Sequence, residues 1–340
     1  MTQDKVLTNL ITGFFGAGKT TFLQSLLEKQ DPREPWAVLL NDEGDLVIDS
    51  GILRPKAESL IIEEVPGGCI CCSAGVSISV AVEELIAKAK PKRLFIELSG
   101  LGHPSSVLVD LFSQKLSAML HLSSVFCLVD LRYVLEEKIQ SSQVFFEQIE
   151  VADVIVGSRA DVASGQQLNA FNKWARGLPR KPNVLKTGLE TIDLNLLETN
   201  TKNTLSGVKN IFDKYSQSRM HSSNLKPSHI VSEAVKDNQK NQSHYFSVRY
   251  PLNTLFDKNH LNNLFSLIKP PMLLGEARVD RIKGIFQTNN GWLLINGTIK
   301  EIIISKINPQ KYSLLEVVSL DNLPKDWGNL ERKIQNCIRK

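Results

Sequence analysis

The string Gly13-Phe14-Phe15-Gly16-Ala17-Gly18-Lys19-Thr20-Thr21 constrains the fold more than any other part of the chain. Its spacing is Gly-x4-Gly-Lys-Thr, and it lies between an apolar run, Val6–Thr12, and a segment with apolar residues at helical spacing, Thr20–Lys29. A glycine-rich turn between strand and helix lets successive backbone N–H groups point inward at phosphate oxygens, at the positive end of the following helix. In that reading Gly13, Gly16, Ala17 and Gly18 build the cradle, and Lys19 reaches the β- and γ-phosphates. Thr20 places its hydroxyl on Mg2+, and Thr21 contacts phosphate or simply starts the helix. Strand, loop and helix in that order predict an α/β architecture.

The remainder of the first two hundred residues repeats the pattern. Strands are expected at Val6–Thr12, Ala37–Asn41, Leu60–Val65, Arg93–Leu98, Val125–Asp130, Val154–Gly157 and Val184–Lys186. Helical periodicity marks Thr20–Lys29, Ile78–Lys90, Val107–Leu116, Tyr133–Glu150 and Gln166–Arg176. This alternation predicts a P-loop NTPase fold with a doubly wound, mainly parallel sheet. At 340 residues the chain is longer than one core usually holds. After Thr199 the composition shifts to Asn, Ser, Lys and Gln, and Ser216–Gln242 has no sustained periodicity. The expected division is a nucleotide-binding domain over 1–198, a polar linker over 199–243 and a smaller α+β domain over 244–340. In the last, Tyr245–Tyr250, Leu273–Arg281, Gly291–Asn296, Glu301–Ile307 and Leu314–Ser319 read as strands, and His260–Ile268 and Lys325–Ile338 as helices.

Composition removes several classes of function. With 42% hydrophobic and 22% charged residues the chain is ordinary for a folded globule, and nothing approaches the roughly 18 apolar residues of a membrane span. The opening Met1-Thr2-Gln3-Asp4-Lys5 lacks the basic flank and apolar core of a secretory signal, so a cytoplasmic location and no membrane partner are expected. Net charge is −6 over 1–198 and +10 over 199–340. The basic charges are scattered without interleaved aromatics, which reads as a solvated surface rather than a nucleic-acid interface.

A phosphate loop holding Mg2+ calls for a second acid at a strand end. Glu97, closing Leu94-Phe95-Ile96-Glu97, is the candidate, able to support the Mg2+ shell or orient a water, and Asp130 is a weaker one of the same type. Three of the five cysteines crowd into Cys69-Ile70-Cys71-Cys72, a glycine-flanked loop after a strand, and such thiolate density suits Zn2+, Cu+ or related soft ions. Zn2+ normally takes four ligands, so others must join; Asp42, Glu43, Asp45, Asp49, Glu63, Glu64 and His103 are within reach in an α/β fold. A redox pair of thiols is the competing reading, and Cys127 and Cys337 read as packing residues.

Taken together, the phosphate loop, Asn41-Asp42-Glu43-Gly44-Asp45, Gly68-Cys69-Ile70-Cys71-Cys72 and Glu97-Leu98-Ser99-Gly100 resemble the CobW-like family of metal-trafficking GTPases, relatives of the nickel-insertion GTPases for urease and hydrogenase. Arg281-Ile282-Lys283-Gly284-Ile285-Phe286 with Gly291-Trp292 is similar to that family's C-terminal domain, and Asn9–Gly13 and Trp36–Asn41 look closest to its YeiR-type zinc-binding branch. The resemblance implies hydrolysis of GTP to GDP with Mg2+, coupled to binding a divalent transition metal, Zn2+ or Co2+, at the cysteine motif and delivering it to a recipient metalloprotein; self-association is left open. The chain departs from the family at Asp42-Glu43-Gly44-Asp45, where two carboxylates are shorter and an aromatic is acidic, which bears on metal preference. It departs also at Ser158-Arg159-Ala160-Asp161, where Asp161 can accept from guanine N1–H and N2–H2 and Arg159 can stack on the base, while Ser158 lacks an amide for the N7/O6 edge. Guanine selectivity is expected to be weakened. The six histidines are dispersed, against a metal-storage role. An ATP-preferring kinase or ATPase, and a non-hydrolysing metal or thiol sensor, stand as alternatives.

Overall fold

The computed structural model describes residues 5–41, 60–64, 78–186, 192–198, 244–251, 254–266, 272–274, 277–310, 313–319 and 328–339. The chain divides into two compact units, Met1–Asp237 and Asn238–Lys340.

The first unit is built on seven strands: β1 (Val6–Gly13), β2 (Trp36–Leu40), β3 (Leu60–Glu64), β4 (Arg93–Glu97), β5 (Leu120–Asp130), β6 (Val154–Ser158) and β7 (Asn183–Lys186). They form one sheet in the order β3-β2-β4-β1-β5-β6-β7, with every pairing parallel. Its helices are α1 (Lys19–Leu27), α2 (Ile78–Ala89), α3 (Pro104–Leu111), α4 (Gln114–Met119), α5 (Glu137–Gln140), α6 (Gln143–Glu150) and α7 (Gly165–Gly177). Because both faces of the sheet are covered, its strands are continuous apolar runs whose successive residues enter different cores. Leu10, Ala37, Leu39, Leu94 and Ile96 pack with Val82 and Leu85 of α2 and Val107 and Leu111 of α3. Ile11, Val38, Leu40, Phe95 and Phe126 pack instead with Phe22, Leu23 and Leu26 of α1.

Polar contacts at the N-terminal ends of the strands tie in a 3-10 turn, Leu194–Glu198. Asn9 Nδ2 donates to Ser124 O (3.0 Å) and Leu197 O (2.8 Å), and its Oδ1 accepts from Arg93 (2.7 Å). Arg93 also reaches Glu198 Oε1 at 2.7 Å, and Ser124 Oγ donates to Leu196 O at 2.6 Å.

Two expected helices are broken. Val107–Leu116 becomes α3 and α4, because Ser113 caps the second through Leu116 N–H. Tyr133–Glu150 becomes a 3-10 turn over Leu131–Tyr133, then α5 and α6, separated at Ser141-Ser142, whose short polar side chains favour helix starts over interiors. β5 begins five residues before the expected Val125.

In the second unit, β8 (His244–Arg249), β11 (Arg281–Thr288), β12 (Gly291–Thr298), β13 (Ile302–Ile307) and β14 (Leu314–Ser319) make an antiparallel sheet in the order β13-β12-β11-β14-β8. β9 (Met272–Leu274) and β10 (Ala277–Val279) form a separate antiparallel pair. Helices α8 (Lys258–Ser266) and α9 (Gly328–Gln335) contribute Leu261, Phe265 and Ile334 to a core with Phe256, Ile282, Phe286, Ile295 and Val317. The expected strand Leu273–Arg281 is thus corrected to β9 and β10, and the central strand β11 begins where it was to end. Residues 282–286 are all buried, Lys283 included at 2% exposure, so hydropathy does not alternate along β11. Cys337 is buried just beyond α9 rather than inside it.

Candidate nucleotide-binding site

β1 lies inside the sheet, and its C-terminal end leads through the glycine-rich loop into α1. Gly16 and Gly18 adopt φ of +67° and +85°, the left-handed region that favours glycine, and Gly18 caps α1. Lys19 is the first helical residue; its Nζ donates to Gly13 O at 3.0 Å, curling over the loop. Ala17 is buried against α1, and Thr21 is exposed. One turn of helix therefore aims its N-terminal N–H groups and an ammonium at the same spot, an arrangement that favours an anion.

The neighbouring strand completes it. β4 pairs with β1 in register Ile11↔Glu97, so the Glu97 side chain sits beside the start of the loop, and its Oε1 accepts from Thr20 Oγ1 at 3.0 Å. Glu97 is only 4% exposed. Backbone bonds from Leu98 N–H to Ile11 O (2.8 Å) and from Asn41 N–H to Glu97 O (3.0 Å) bind the strand ends together.

Asp130 ends β5 on the other side of β1, yet its carboxylate is turned to Arg132: Oδ2 and Oδ1 accept from the guanidinium at 2.7 and 3.0 Å, and Oδ1 accepts from Arg132 N–H at 2.9 Å. It caps the 3-10 turn that follows β5. Unlike Glu97, Asp130, the weaker candidate, thus has both carboxylate oxygens engaged by its own neighbour.

Ser158 closes β6, buried, and its hydroxyl has no hydrogen-bond partner among the described residues. Arg159 then takes φ of +61°, and Val162 N–H returns to Arg159 O at 3.3 Å, a turn that leaves Asp161 exposed. Cys127 on β5 is fully buried beside the strand that leads into the phosphate loop, paired with Thr12, and burial pushes its thiol up to about 12 against a weaker opposing pull from the Lys19 charge. It is a packing residue, unfit as a thiolate ligand.

Asp42, Asp45, Cys69, Cys71 and Cys72 lie outside the described residues. Among the described residues no three His, Cys, Asp or Glu side chains gather to hold a metal ion. Two residues weighed as further ligands are engaged elsewhere, Glu63 with Lys88 and His103 with Glu147. Glu147 and its neighbour Gln148 on α6 are buried polar residues that contact the segment after Glu97, and sequence reasoning missed them. The run Gln143–Glu150 shows apolar residues only at Val144, Phe145, Phe146 and Ile149, so the intervening Glu and Gln read as its solvent face. No helix among the described residues is long and apolar enough to cross a membrane.

A family model described as CobW/HypB/UreG, nucleotide-binding domain, matches residues 7–186. The zinc chaperone YeiR of Escherichia coli (strain K12) is 40% identical over 167 residues, 49% of this chain and 50% of YeiR. The zinc chaperone YjiA of the same organism is 30% identical over 201 residues, 57% of this chain and 61% of YjiA. The chain thus spans about half the length of the first relative and about three-fifths of the second. A crystal structure of the Zn(II)-bound YjiA GTPase from E. coli aligns with 99% of this chain and 100% of its own at 20% identity and a TM-score of 0.43. With the family model matched from the first strand to the last strand of the parallel sheet, over more than half its residues, the chain belongs to the CobW/HypB/UreG nucleotide-binding family.

Proposed function

We propose that the chain is a slow GTPase whose nucleotide state governs the binding and delivery of Zn2+ or a similar divalent transition metal. The observation that carries the reading is the Thr20–Glu97 contact of 3.0 Å beside Lys19, at the end of a central parallel strand. A hydroxyl and a carboxylate oxygen at that distance are hard donors that fit a shared Mg2+, and Mg2+ bound with nucleotide neutralises charge on the β- and γ-phosphate oxygens. Lys19 and the N–H groups of Gly16–Thr20 hold the phosphates, Thr21 supports the same turn, and Glu97 orients the attacking water. Asp161 accepts from the guanine edge, Arg159 stacks on the base, and the Ser158 hydroxyl gives less discrimination than an amide, so GTP is preferred over ATP by a narrow margin.

The metal would be cargo. β2 and β3 run parallel to β1, so their last residues, Leu40 and Glu64, stand at the same edge of the sheet as Gly13, and it is from these two residues that the sequence continues to Asp42 and Asp45 and to Cys69, Cys71 and Cys72. That common edge, and the likeness to the zinc chaperones YeiR and YjiA, support a cysteine metal site sensitive to nucleotide state. In this reading 1–198 is the GTPase domain, 199–243 a linker, and the basic 244–340 domain recognises a recipient metalloprotein in the cytoplasm.

A Zn2+ competition titration on reduced protein, in the absence of nucleotide and with Mg-GDP or a non-hydrolysable Mg-GTP analogue, tests the coupling. Expected is a nucleotide-dependent change of about tenfold or more, about 1.4 kcal/mol, that disappears in the triple Cys69/Cys71/Cys72→Ser variant. Equal Zn2+ affinity in all three states defeats the coupling. Lys19→Ala should abolish nucleotide binding with the fold intact, and retained hydrolysis in that variant defeats the site assignment.

A further inference from the structure

The turn that follows Glu97 is held from behind by two adjacent side chains of α6, both buried at 0% exposure. Gln148 Nε2 donates to Gly100 O at 3.2 Å and to Gly102 O at 3.4 Å. Glu147 Oε2 accepts from Ser105 Oγ at 2.9 Å and faces His103 Nδ1 at 3.0 Å, while its Oε1 accepts from Gln143 Nε2 at 3.3 Å. The turn is closed on itself by Gly102 N–H to Ser99 O at 3.0 Å. Its front rests on the phosphate loop, because a Cβ on Gly100 would lie 2.3 Å from the ring of Phe15. The backbone at Gly100 is therefore pinned between a phosphate-loop aromatic and the α6 amide.

Cohesion alone does not call for this arrangement. A buried carboxylate costs several kcal/mol unless its oxygens are met, and apolar side chains of the same volume often hold a helix to a loop equally well. What directional bonds add is a single fixed position for the backbone they grip. Here Gln148 grips the backbone three and five residues beyond Glu97, and Glu147 the side chains of His103 and Ser105 just after it, while the Glu97 carboxylate meets Thr20.

We propose that Glu147 and Gln148 are positioning residues for hydrolysis: by holding the Ser99–Gly102 turn against Phe15, they keep Glu97 aligned with Thr20. His103 and Ser105 are the means by which Glu147 fastens the far end of the turn to the start of α3. This rests on the reading of the site as a GTPase.

Steady-state GTP hydrolysis by the full chain tests it, using Gln148→Leu and Glu147→Gln beside the wild type, with affinity for a fluorescent GDP analogue and thermal unfolding measured on the same samples. Gln148→Leu is expected to lower kcat by about tenfold, with KM for GTP and GDP-analogue affinity within about threefold of wild type. Glu147→Gln keeps the volume and the bonds from Ser105 and His103 but cannot accept from Gln143 with its amide nitrogen, and a fall in kcat of about threefold to fivefold is expected at unchanged affinity. A kcat within about twofold of wild type in both variants overturns the proposal, as does a loss of kcat matched by equal loss of GDP affinity, the mark of a merely structural role. If Gln148→Leu does not fold, Glu147→Gln decides by the same criteria. A wild type that binds GTP without turning it over overturns the GTPase reading, and the proposal with it; an active wild type with indifferent variants overturns the proposal alone.

Discussion

Two carboxylates at the ends of the strands flanking β1 show how single neighbours assign different work to similar residues. Asp130 is followed two positions later by Arg132, which takes both its oxygens, so it closes a turn. Glu97 is followed by Leu98-Ser99-Gly100, offers no local cation such a fork, and meets the phosphate-loop hydroxyl instead. At the opposite edge of the sheet, Asn9 is the residue with most at stake. Its amide serves Ser124 O, Leu197 O and Arg93 at once, at 0% exposure. Asn9→Ala removes all three bonds and strands buried partners, so a loss of about 3 kcal/mol is expected in urea unfolding, against about 0.5 kcal/mol for an ordinary surface substitution.

Among the elements, α7 carries the most complete local signal. Ser164 Oγ accepts from Gln167 N–H at 3.2 Å, and the Gln167 side chain accepts from Ser164 N–H at 2.9 Å, a reciprocal capping box. Ser164→Ala should cost about 1 kcal/mol in chemical denaturation, and Ser164→Gly less. Where elements advertise themselves this way, the sequence alone suffices to find them. The parallel strands are apolar on both faces and short, and the phosphate loop has its own spacing, so the doubly wound sheet and the candidates Lys19, Thr20 and Glu97 were legible from residue order. The rest depended on contacts that no local pattern encodes. Ser113 and Ser142 stand at the N-caps of α4 and α6 and so divide stretches whose apolar spacing runs straight through them. β11 escaped notice because Lys283 and Gly284 interrupt a run that is buried throughout, with Phe286 filling the space above the glycine. Glu147 and Gln148 looked like a helix's wet side, since only the fold brings the turn after Glu97 against them.

For the molecule as a whole, the family match ends before the packing onto the parallel sheet does. The match stops at Lys186, the last residue of β7, whereas Ile192 and Leu197 enter the core on the α1 side of the sheet and the 3-10 turn bonds to Asn9, Arg93 and Ser124. A chain cut after Lys186 keeps all seven strands of the parallel sheet and the whole phosphate loop but leaves a buried arginine, an asparagine and a serine short of partners, each worth about 1–3 kcal/mol, together close to the total stability of many domains. It should be insoluble or unfold without a cooperative transition, while a chain cut after Glu198 should melt cooperatively and bind a fluorescent GDP analogue; equal behaviour of the two in thermal unfolding would show that the turn contributes nothing. The same turn clasps β1 and β4 at the ends remote from Gly13 and Glu97. Tension applied to the chain just after Glu198 would therefore be borne by the two strands whose other ends carry the phosphate loop and its acid, which makes them a stiff mechanical link between that point of the chain and the phosphate loop.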